Sequence, residues 1–115
     1  NTKSIINERL KYFGDSPELY HELAFAYLKN SEYRHAFSAF EYNISNFPDF
    51  ILSYFSYAQI MFNDPNLRIS EKEKIIRLLE TFLKLAKKDE RVQIGNVNID
   101  EVIPEVEKML RELST

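Results

Sequence analysis

The sequence predicts an all-α fold. Apolar residues recur at intervals of three and four through five or six segments, and each segment is bracketed by residues that start or stop helices. Tyr20, Leu23, Ala24 and Tyr27 are also echoed 34 positions later by Tyr54, Tyr57, Ala58 and Met61. Two in-phase copies of one helical pattern point to repeated helical units.

The first helix is predicted over residues 2–13, with Ile6, Leu10 and Phe13 on one stripe and Gly14-Asp15 ending it. Ser16 caps the second, whose first position is Pro17, where a missing N–H costs nothing. Its side chains include Leu19, Tyr20, Leu23, Ala24, Tyr27 and Leu28. Asn30-Ser31 makes the turn, with Ser31 as cap of a return helix through Phe47 that buries Tyr33, Ala36, Phe37, Phe40 and Ile44. Pro48 forces its predecessor out of the helical region, and Asp49 can cap the next segment. The helix over 50–63 is apolar nearly all round. Such a helix is either sandwiched on several sides or has a side left for a partner. The stretch Asn63-Asp64-Pro65-Asn66 breaks the chain, and Ser70-x-x-Glu73 is a capping box for a long helix over 71–88. Residues 92–99 alternate weakly around Gly95-Asn96. They read as an extended linker in preference to a hairpin, because two short strands alone are marginal in water. A last helix, from Asp100 or Pro104 to Leu113, places Val102, Val106, Met109, Leu110 and Leu113 on one face.

Tyr20-x-x-Leu23-Ala24-x-x-Tyr27, Ala36-x-x-x-Phe40 and Pro48 together resemble one tetratricopeptide repeat, and the echo at residues 54–61 falls at that family's period. The resemblance implies a stack of antiparallel helix pairs, about five to six helices in all, closed by a C-terminal capping helix. On this reading residues 1–115 form one domain. Residues 1–14 are a partial preceding repeat or an N-terminal helix, 17–50 the first repeat, 51–90 a divergent second repeat, and 100–115 the cap. The module is expected to act within a larger protein or complex. Ala24 and Ala36 would let backbones approach, while Tyr20, Leu23, Tyr27 and Phe40 fill the space between elements. The chain departs from a strict repeat at Ser70 and Lys74, which are polar where the pattern asks for small and aromatic residues. The missing stripe reappears as Leu79, Leu83 and Ala86 or as Leu78, Phe82 and Leu85, so a longer internal loop is expected.

In this family the first helix of each pair lines a concave peptide groove. The resemblance therefore implies a partner-binding wall of Glu18, His21, Phe25, Leu28 and Lys29 in the first pair, and of Leu52, Phe55, Gln59, Phe62 and Asn63 in the second. Phe25, Phe55 and Phe62 would be its anchors. The competing reading is that the same wall is ordinary core, filled by the terminal helix or a neighbouring domain. A clamp for a peptide's terminal carboxylate is disfavoured, because His21 and Phe25 stand where its basic residues would begin and only Gln59 resembles an amide donor.

Composition excludes several other classes. At 115 residues, 44% hydrophobic and 29% charged, the chain is neither disordered nor membrane-embedded in composition. The apolar stretch 50–62 is interrupted by Ser53, Ser56 and Gln59 and is too short for a bilayer span. No signal segment is read at the start, and the cytoplasm is the favoured compartment. A net charge of −3 argues against nucleic acid. Lys84, Lys87 and Lys88 sit where a helix dipole favours cations. The absence of cysteine removes thiolate chemistry. No catalytic residue set and no phosphate loop can be assembled from what remains, so no enzyme activity and no cofactor are expected. Glu18-x-x-His21 and Glu32-x-x-His35 do match the spacing by which helical bundles hold paired metals, and a helical metal enzyme stands as a minor alternative. The main expectation is a scaffold that binds a protein or peptide, against a structural or regulatory appendage with no ligand of its own. Self-association through the apolar helix 50–62 is a further expectation.

Overall fold

The computed structural model describes residues 2–88, 93–94 and 97–114. Among them the regular structure is α-helical apart from one pair of two-residue strands. The helices are α1 (Thr2–Phe13), α2 (Pro17–Lys29), α3 (Tyr33–Asn46), α4 (Leu52–Asn63), α5 (Pro65–Ser70), α6 (Lys72–Lys88) and α7 (Ile99–Leu113). The chain divides into two compact units, residues 1–53 and 54–115, with the boundary inside α4.

In the first unit α2 packs against both α1 and α3. Ser16 caps α2 by accepting from the Leu19 amide, and Pro17 stands in its first turn. The α1–α2 contact is built on Ile6, Leu23 and Ala26, flanked by Leu10, Leu19, Tyr20 and Tyr27. On the other side of α2, Ala24 and Ala36 are fully buried, as is Phe40. Small residues on both helices permit the close approach that the motif implied. The carboxylate of Asp15 ties α2 to α3 by accepting from the hydroxyls of Tyr20 and Tyr42, whose ring centroids lie 4.4 Å apart. Bonding to that carboxylate drives the Tyr42 phenol well above its ordinary range.

Two expectations for this unit need correction. Ser31 does not cap α3: its φ is +60°, and it belongs to the end of α2. The Ser31 amide donates to the Leu28 carbonyl, and the Glu32 amide reaches back to that of Tyr27. This paired closure of a helix C-terminus needs one left-handed residue. With Ser31 committed to it, Glu32 takes the N-cap position of α3, without a side-chain cap bond. The buried stripe of α3 is also rotated from the one expected, running through Ala36, Ala39, Phe40 and Asn43, while Tyr33 is 54% exposed. Gly14 ends α1 at φ +79°, its amide donating to the Leu10 carbonyl at 2.9 Å.

In the second unit α6 packs against both α5 and α7. Ile75, Leu78, Leu79, Phe82 and Ala86 form the buried face of α6, a merger of the two alternative stripes. Ile99, Val102, Val106, Met109 and Leu113 form that of α7. Every residue of α4 from Tyr54 to Ala58 is buried, while Asn63 at its end is exposed. The echoed positions Tyr54, Tyr57, Ala58 and Met61 are among its most buried.

The break at residues 63–66 carries a helix that the sequence reading passed over. Asp64 accepts from the amides of Asn66 and Leu67, with Pro65 in the first turn, and so starts α5. Ser70 is then the last residue of α5 and not the cap of α6, the chain turning at Glu71. The extended linker is likewise replaced by antiparallel strands β1 (Gln93–Ile94) and β2 (Val97–Asn98), paired Gln93 with Asn98 and Ile94 with Val97. Strand β2 runs directly into α7. Asn98 starts α7 by accepting from the Asp100 amide, which leaves Pro104 inside the helix. No helix among the described residues is long and apolar enough to cross a membrane.

Candidate functional site

The cleft on α1 and α2 has a volume of about 420 Å³. Ile6 and Ala26 form its floor, both nearly inaccessible, and Ile5 and Phe25 stand at its rim, 51% and 42% exposed. Two large apolar side chains thus meet water beside a concave surface. Polar groups flank them: Arg9 and Glu22 approach to 3.8 Å, and Lys29 also lines the cleft. Both members of that pair are more than half exposed, so it contributes little to stability.

His21 forms one wall. Its imidazole lies edge-on to Phe25, Phe40 and Phe50 at centroid separations of 5.0, 6.0 and 5.8 Å. Packing among rings removes water from the imidazole, and this desolvation lowers its pKa from 6.5 to about 4. At neutral pH His21 is therefore an uncharged aromatic wall. Phe25 in turn meets Phe40 edge-on at 6.0 Å, which ties the exposed ring to the buried centre of the unit.

Of the first-pair residues expected on the binding wall, the structure brings His21, Phe25 and Lys29 together on this cleft. Glu18 is exposed and accepts from the Ser16 hydroxyl, and Leu28 is half-buried; neither lines the cleft. The α1 contribution of Ile5, Ile6 and Arg9 was missed. Ile6 was recognised as stripe, but pairing α1 with α2 around a cleft leaves no periodic signal in the chain.

The second-pair residues divide differently. Leu52 and Phe55 are 6% and 8% exposed, and Phe55 packs against Phe82 of α6 at 5.7 Å. Gln59 donates to the Glu105 carboxylate of α7 at 3.1 Å. Three of the five positions are therefore taken up by packing and polar contacts. Phe62 and Asn63 instead line an open cleft with Pro65, Arg68 and Leu113. Self-association through Tyr54, Phe55, Tyr57, Ala58 and Met61 of α4 would require these buried side chains to leave their packing.

The two histidines do not share an environment. His35 is exposed and stacks on Tyr27 at 5.2 Å, while Glu32 stands at the start of α3. No group of three or more potential metal-ligating side chains converges among the described residues.

Comparison with known proteins finds no matching family model, no matching curated protein and no matching solved structure.

Proposed function

We propose that this chain is a tetratricopeptide-repeat-like binding module that takes a segment of a partner protein on the α1–α2 cleft, with Phe25 and Ile5 as apolar contacts. One observation carries the reading: a 42%-exposed aromatic ring held at a concave rim by edge contacts to the buried Phe40 ring and to His21. A ring already fixed in place loses little side-chain freedom on binding, which is what makes aromatic anchors effective. The buried motif residues Leu23, Ala24, Ala36 and Phe40 support the helical-repeat part of the proposal, because they are occupied by packing of α2 against its neighbours.

A second reading, a structural appendage without its own ligand, draws support from residues 54–115, where Phe55 and Gln59 are engaged by α6 and α7. Comparative pull-downs separate the two. Binding at the cleft predicts a protein retained by wild type and by Tyr12→Glu, a control at a 76%-exposed position, but lost at least tenfold with Phe25→Glu. Equal retention by all three, or none by wild type, favours the appendage.

A further inference from the structure

Outside that cleft, Arg68, Lys72, Lys108 and Arg111 gather around two adjoining recesses within residues 54–115, in a chain of net charge −3. The open cleft bordered by α5 and the end of α7 has a volume of about 630 Å³ and an apolar floor that includes Phe62, Pro65 and Leu113. Arg68 and Lys72 line it. An adjoining recess adds Lys108 and Arg111, and Arg68 and Glu112 are common to both. Four cations thus surround one carboxylate. Lys72, Lys108 and Arg111 have no ion-pair partner among the described residues. Ile69 projects at the edge, 81% exposed.

Arg68 is already poised. Its guanidinium lies 3.9 Å from the centre of the Phe62 ring and 3.6 Å from the Glu112 carboxylate. Stacking on an aromatic face holds a guanidinium plane in place for a carboxylate. Glu112 occupies that role in the free protein, at partial exposure where an ion pair is weak and exchangeable.

We propose that this cleft binds an acidic peptide segment carrying an apolar side chain. The apolar group packs on Phe62 and Ile69, and the peptide's carboxylates pair with Lys108, Arg111 and Arg68, displacing Glu112 from the last. Charge complementarity selects the occupant, and a concave apolar floor ringed by cations suits a side chain flanked by carboxylates better than a flat lipid surface. The site is independent of the α1–α2 cleft.

The test uses the full chain and a fluorescein-labelled peptide alternating Glu with Leu. Saturable binding by anisotropy is expected, weakening as salt rises because the cations are exposed. Lys108→Glu with Arg111→Glu should weaken it at least tenfold. Glu112→Gln, which frees Arg68, should tighten it about threefold or more. The far-UV spectrum of each variant establishes that it is folded. No saturable binding, equal binding of a Lys-Leu peptide, an unchanged or weakened affinity in Glu112→Gln, or binding to phosphatidylserine vesicles without binding to the peptide would each overturn the proposal.

Discussion

The side-chain amide of Asn43, fully buried on α3, donates to the backbone carbonyl of Pro17 at the start of α2, at 2.9 Å. Its Oδ1 is buried without a protein partner. The contact is thus a half-satisfied polar bridge inside the helix pair, where a bond contributes modestly and an uncompensated charge costs heavily. Asn43→Leu, which removes the donor and the unpaired oxygen together, should change stability by less than about 1.5 kcal/mol. Asn43→Asp should cost more than about 3 kcal/mol near pH 7, because it buries a carboxylate facing a carbonyl. Urea unfolding of the two variants checks the ordering.

His21 makes stability pH-dependent. Its folded pKa is about 4, below the ordinary 6.5, so the unfolded chain binds the extra proton between those values. The stabilisation from burying a neutral imidazole is present in full above about pH 6.5 and is lost as pH falls toward 4. The slope contributed by one such group is at most about 1.4 kcal/mol per pH unit. His21→Phe, which keeps a ring beside Phe25, Phe40 and Phe50, should flatten the pH 4–6.5 limb relative to wild type. Denaturant midpoints measured across that range provide the check.

Ser31 holds a left-handed conformation that a β-carbon disfavours. Ser31→Gly should stabilise the protein by about 0.5–1 kcal/mol, the backbone relief being partly offset by a freer unfolded chain. Gly14→Ala acts in the opposite direction. The space around a β-carbon there is open, so its cost of about 1 kcal/mol is conformational alone. Thermal melts of both variants test the pair.

Phe40 and Phe25 touch, yet they should respond differently to truncation. Phe40→Ala, at a fully buried site, should cost about 3–5 kcal/mol, and Phe25→Ala much less. Phe55→Ala should resemble Phe40→Ala, since Phe55 packs on Phe82. A small cost at Phe55 in chemical unfolding would mean that its ring is free for a partner after all.

How far the sequence could be read follows from which signals are local. Capping by Ser16 and the start of α2 at Pro17 follow from adjacent residues, and the buried Leu23, Ala24, Ala36 and Phe40 follow from spacing along a helix. Asn43 escaped because it occupies an apolar-stripe position, three residues after Phe40, with a polar side chain. Ser31 misled because a serine before a helix signals a cap, while its left-handed conformation depends on how the preceding helix closes. Asp64 with Pro65 was a helix start as sound as Ser16 with Pro17, but its proximity to Asn63 and Asn66 made it read as a break. The α1–α2 cleft pairs residues from two helices, and Arg68 with Glu112 are 44 positions apart; no periodicity encodes either. Phe55 has the same residue type as Phe25, and only packing against α6 separates core from rim.

The most direct measurement of the central claim is site-specific photo-crosslinking in cells, with benzoylphenylalanine placed at position 25 or at the exposed control position 12. Binding on the α1–α2 cleft predicts a discrete protein adduct from position 25 that is absent from position 12. No adduct from position 25, or the same adducts from both, would contradict it.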